Sequence, residues 1–147
     1  AYADALLQAG YRERAEEEMR GVGAQARLRR MRQLASMVEI QLACWCLWEN
    51  DLECVLAHCN SAREEGALEG SALERSMVAA IEAAVAGARD DVVEAEKALS
   101  RLAEARAGID EPDLHRVLGW AEQHSSERIA PLFRSLTHGS SEEPRDA

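Results

Sequence analysis

The sequence predicts an all-α protein: one long helix near its start, then about five shorter antiparallel helices, as a bundle or a short array of helical hairpins. Three observations lead there. Apolar residues recur at every third or fourth position over most of the chain. Ala, Leu, Glu and Arg, all strong helix formers, fill the intervals. Gly66, Gly87, Gly108 and Gly139 each close an apolar-periodic stretch, while Asp51, Ser71, Asp90, Asp110 and Ser126 stand where the next could open. Glycine turns left-handed without a Cβ clash, and Asp and Ser side chains accept from the free N–H groups of a first turn.

Residues 2–20 read as a polar, Glu-rich helix with a thin stripe of Leu6, Leu7, Tyr11 and Ala15, and Gly21 and Gly23 predict a break behind it. From Ala24 to Trp48 the residues Leu28, Met31, Ala35, Val38, Leu42 and Trp45 follow the alternating three-four spacing of a coiled-coil seam. Leu34, Met37 and Trp48 widen that face. The following helices carry Leu52, Val55, Leu56 and Cys59; then Leu73, Met77, Ile81 and Val85; then Val92, Ala95, Leu99 and Leu102. Pro112 suits a first turn, where its missing N–H costs nothing, and precedes Leu114, Val117, Leu118 and Ala121. Ile129, Leu132, Phe133 and Leu136 mark a last helix, in which Pro131 demands a kink or a later start. The organisation expected is an N-terminal polar helix over 1–23, a bundle over 24–137 and a disordered polar tail over 138–147.

Composition excludes several roles. Aromatic residues are 4% of the chain and much of its 47% hydrophobic content is alanine, so the core is built of small side chains. Residues 1–50 are charge-neutral, and the whole net charge of −10 falls on 51–147. Such an acidic stretch repels phosphate backbones and anionic membranes. No apolar run approaches the roughly 18 residues that cross a bilayer, so membrane insertion is not expected.

All four cysteines, Cys44, Cys46, Cys54 and Cys59, lie close together and near His58. Cys54 and His58 are four apart and share a helix face, but Cys44 and Cys46 point apart and no Cys-x-x-Cys pair exists, so no metal or other cofactor is expected. If the chain turns at Asn50–Asp51, Cys44 or Cys46 could meet Cys54 or Cys59 across a hairpin. The favoured reading is four small buried thiols inside a reducing intracellular compartment. No His follows a Glu by three residues, which excludes the di-iron bundle pattern. Asp113, His115, Trp120 and His124 read as a solvent face. Phosphate loops and nucleophile motifs are missing, so an enzyme is not expected.

The stretch Met77 to Leu102, an Ala-rich hairpin around Gly87, resembles helical hairpins of large algal and protist scaffold proteins. That resemblance covers under a fifth of the chain. It agrees with the reading of the residues: a scaffold subunit that docks other protein chains by helix packing. The docking surface expected is Leu28, Met31, Val38, Leu42 and Trp45 with the basic run Arg27, Arg29, Arg30 and Arg32. The alternative is a regulatory bundle whose Trp45, Trp48 and cysteines line a redox-sensitive pocket.

Overall fold

The computed structural model describes residues 6–7, 10–106 and 111–137. Among these residues every regular element is helical: α1 (Arg12–Leu28), α2 (Arg32–Trp48), α3 (Leu52–Glu64), a short 3-10 turn (Ala67–Glu69), α4 (Ala72–Ala88), α5 (Val92–Ala105), α6 (Pro112–His124) and α7 (Ala130–Thr137). The all-α class is as the sequence predicts. Instead of one bundle over 24–137, the chain forms two compact units, Ala1–Gly70 and Ser71–Ala147. The predicted tail over 138–147 lies outside the described residues.

The long helix over Ala24–Trp48 is not formed, and the break at Gly21–Gly23 is not where the chain bends. Both glycines lie inside α1, and the chain reverses at Arg29–Arg30. The left-handed residue there is Arg30, with φ 58°. Met31 N–H donates to the Ala26 carbonyl at 2.7 Å and Arg30 N–H to the Arg27 carbonyl at 3.1 Å, the two bonds of a Schellman turn. The same pair of bonds closes the chain at Gly10 (φ 88°), Asn50 (φ 59°) and Asp90 (φ 59°). Three of these four Schellman turns thus use a residue other than glycine, while Gly66 (φ 90°) follows α3.

These reversals impose a register. α1 through α6 begin at Arg12, Arg32, Leu52, Ala72, Val92 and Pro112, one helix for every 20 residues. Ala15, Ala35, Val55 and Ala95 hold the same place in the first turn of their helices, and all are fully buried. Ser36–Met37–Val38 recurs forty residues later as Ser76–Met77–Val78. Each 40-residue stretch is thus one helical hairpin, the unit from which helical-repeat arrays are built.

In the first unit α2 is the apolar centre, with α1 on one side and α3 on the other. Gly23 lets α1 approach closely: a Cβ there would meet Val38 Cγ1 at 3.1 Å. In the second unit α4 is buried around most of its surface, and both α5 and α6 pack on it. Asp51, Ser71 and Asp91 cap α3, α4 and α5, Ser71 with Glu74 as a reciprocal capping box. Gly87 is not a stop signal: it lies inside α4, and a Cβ there would overlap Ser125 Oγ and come within 3.0 Å of Phe133 on α7. Pro131 sits in the first turn of α7, so its missing donor costs nothing. Asp90 binds the α6–α7 connection, accepting from Ser126 Oγ at 2.7 Å and from Arg128 Nε at 3.1 Å.

Two glycines separate helix propensity from packing. Gly21 has open space around it, so Gly21→Ala is expected to stabilise the fold by about 0.5–1 kcal/mol. Gly87→Ala is expected to destabilise it by about 1–3 kcal/mol, because the Ser125 hydroxyl and the Phe133 ring must both move. Chemical denaturation of the two variants measures both signs.

The hydrogen bond from Arg128, then that from Ser126, holds the Asp90 carboxyl below its ordinary value. The folded form is the stronger acid, so this contribution is complete above the ordinary carboxylate range and fades as pH falls through the lowered value. Arg128→Gln is expected to move the Asp90 titration upward by NMR; an unchanged midpoint would show that the ion pair does not act on it.

Candidate functional site

The first unit brings chemistry together at the α2–α3 turn. Cys46 lies in the last turn of α2, and its carbonyl accepts from Asp51 N–H at 3.0 Å. The Asp51 side chain in turn accepts from Cys54 N–H at 3.2 Å, fixing the first turn of α3. Cys46 and Cys54, placed symmetrically about Asn50, are joined as a disulfide with Cα atoms 5.9 Å apart. This is one of the four pairings the sequence left open, and it corrects the reading of all four as small buried thiols. Cys44 and Cys59 are buried outside the bond. Burial pushes the Cys59 thiol up to about 12, with Arg63 opposing.

His58, one turn beyond Cys54, joins the pair. One donor atom from each of Cys46, Cys54 and His58 lies within 4.8 Å of the other two, the one such His, Cys, Asp or Glu grouping among the described residues. His58 Nδ1 is 3.1 Å from Glu39 Oε2, and Glu39 Oε1 accepts from Arg27 at 2.9 Å. Arg27 reaches further, donating from Nε to Glu65 at 2.9 Å. Burial alone would raise the Glu39 carboxyl, but bonds from His58 and Arg27 outweigh it and hold the group below its ordinary value. Glu65 first and Glu39 second raise Arg27 above its own. The cluster opens on a cleft of about 390 Å³ that Arg12, Glu16, Glu49 and Asp51 also line.

The predicted docking ridge divides in two. Val38, Leu42 and Trp45 are covered by the chain itself, packing with Leu6, Ala15, Leu7, Met19 and Trp48. Leu6, Leu7, Ala15 and Met19 therefore find their apolar partners within their own unit. Leu28 (78% exposed), Met31 (47%) and Leu34 (39%) remain in solvent at the α1–α2 elbow, together with Val22. A cleft of about 600 Å³ runs beside Met31, Leu34 and Arg29. Of the basic run, Arg27 is engaged internally and Arg32 donates to the Glu64 carbonyl at 2.7 Å, whereas Arg29 and Arg30 are exposed.

In the second unit the polar residues of α6 make local contacts. Asp113 pairs with Arg116 at 3.8 Å, and His124 stacks on Trp120 with ring centroids 4.0 Å apart. Glu39 escaped the sequence reading because its two partners lie on other helices. Its only signal was a lone acid within the apolar run of α2, seven residues before Cys46 and so on the same face.

Fold and site define an all-α protein of helical hairpins with a Cys–Cys–His cluster at one turn. No family model, curated protein or solved structure matches the chain. No helix among the described residues is long and apolar enough to cross a membrane.

Without denaturant, reduction followed by alkylation is expected to label Cys46 and Cys54 and to spare Cys59, whose buried thiol yields almost no thiolate at neutral pH. Peptide mass mapping reads the sites; equal labelling of Cys59 would contradict its burial.

Proposed function

We propose that this chain is a non-catalytic interaction module that receives a helix of a partner protein on the α1–α2 elbow. The observation that carries the reading is the set of large apolar side chains left in solvent there, Val22, Leu28, Met31 and Leu34. Exposed apolar groups clustered with polar residues mark interaction sites on soluble proteins. Arg29 and Arg30 add positive charge at the rim, which suits an amphipathic helix with acidic residues beside its apolar stripe. The 20-residue helix register supports the same reading, because stacked helical hairpins serve widely as protein-binding surfaces.

A second reading is favoured by the disulfide: a regulatory module whose binding follows the state of Cys46 and Cys54. One experiment separates the two. A photo-crosslinking residue replaces Met31 in the full chain, and the captured segment is mapped in native extract with and without a reductant. The interaction reading expects an amphipathic, acid-rimmed helix, captured in both states and lost by more than tenfold in Leu28→Asp at unchanged helicity. Capture in one thiol state only supports the regulatory reading. Capture unaffected by Leu28→Asp would overturn the elbow as the docking surface.

A further inference from the structure

We propose that Cys46, Cys54 and His58, once the disulfide is reduced, form a three-donor site for zinc or a similar thiophilic divalent ion, with Glu39 orienting the imidazole. The site stands apart from the elbow and does not depend on it. Two thiolates and an imidazole are the donors that select such ions over magnesium or calcium. They are supplied from both sides of one turn whose backbone is fixed by the Schellman bonds and the Asp51 cap. The three donor atoms already lie within 4.8 Å of one another. In a zinc tetrahedron with bonds of ~2.3 Å, two sulfurs stand roughly 3.8 Å apart. Rotation of the two cysteine side chains reaches that separation with the Cα atoms left at 5.9 Å.

Glu39 completes the argument. Zinc-bound histidines commonly present their second ring nitrogen to a carboxylate, which sets tautomer and ring direction. Here Nδ1 faces Glu39 Oε2 at 3.1 Å, so Nε2 is the nitrogen available to an ion. Glu39 is itself held by Arg27 and is buried, hence a positioning residue and not a ligand. The three donors line the cleft, where Glu13, Glu16, Glu49 and Asp51 outnumber Arg12 and Arg20, so the fourth coordination position of a bound ion is left to solvent. Disulfide and metal site are alternative states of the same sulfurs. A dithiol reductant gives up two electrons and two protons to the S–S bond and is itself oxidised to a disulfide. Each resulting thiol then releases its proton to solvent as its sulfur binds the ion.

The test is a cobalt(II) titration of the full chain, reduced with a phosphine under argon, beside the oxidised protein. The expected result is one equivalent of tetrahedral cobalt with thiolate-to-metal charge-transfer absorption, seen only in the reduced protein. Cys54→Ser and His58→Ala should each weaken binding by at least tenfold. Glu39→Gln should weaken it by about 10–100-fold with the band shape kept. Circular dichroism of each variant guards against loss of fold, and His58→Gln substitutes if His58→Ala unfolds. A reduced wild-type chain that leaves cobalt octahedral and free of charge-transfer bands would overturn the site. Undiminished binding in Cys54→Ser or His58→Ala would do the same, and full affinity in Glu39→Gln would remove the orienting role.

Discussion

Each unit of this protein depends on covering one apolar helix that no single neighbour can cover. α2 and α4 are apolar around too much of their circumference to border water, so helices must lie on more than one side of each. With few aromatic side chains available, contact is made by bringing backbones close. Gly23 admits Val38, and Ala15 and Trp45 share one buried cluster. Gly87 lets Phe133 of α7 sit directly on α4. Gly23 and Gly87 therefore act through the room they leave, whereas Gly10 and Gly66 act through the left-handed conformation they permit.

That division of roles among the glycines bears on what was legible in the sequence. Helix periodicity found α3 to α7 closely, since Val55, Met77, Ile81, Leu102, Leu114, Val117 and Phe133 are all buried as their spacing requires. It misplaced the first reversal because glycine is the usual left-handed residue, and Gly21 and Gly23 were the glycines at hand. The chain instead uses Arg30, which carries no such signal and is held by backbone bonds to Ala26 and Arg27. Asn50 and Asp90 are better tolerated there, because their short polar side chains favour the left-handed region. The 20-residue register lay in view as the recurring Ser-Met-Val and the small residues at 15, 35, 55 and 95. Its mark is one compact buried side chain in four of the six helices, with Arg75 and His115 at that place in the other two, too faint beside the larger apolar residues.

The cysteine cluster was half legible. The i, i+4 relation of Cys54 and His58 needs only a helix, and the sequence supplies one. Bringing in Cys46 requires the register of the hairpin, and bringing in Glu39 and Arg27 requires three helices at once. Residues whose roles arise from tertiary placement leave no pattern along the chain. The ridge shows the opposite failure: Val38, Leu42 and Trp45 carried a clear apolar pattern, but the pattern could not say that Leu6, Ala15 and Met19 already meet it.

Arg27 carries a mechanical consequence. From the last turn of α1 it binds Glu39 in α2 and Glu65 just beyond α3, so one guanidinium ties α1, α2 and the end of α3. Swinging α1 outward would strip a withdrawn carboxylate of its countercharge, and an uncompensated charge of that kind is costly. The corner between α1 and α2 is therefore a rigid joint, and its amide protons should open to exchange together with those of α2. A partner meeting Leu28 and Met31 would find them already set in place, with little ordering entropy left to lose on association.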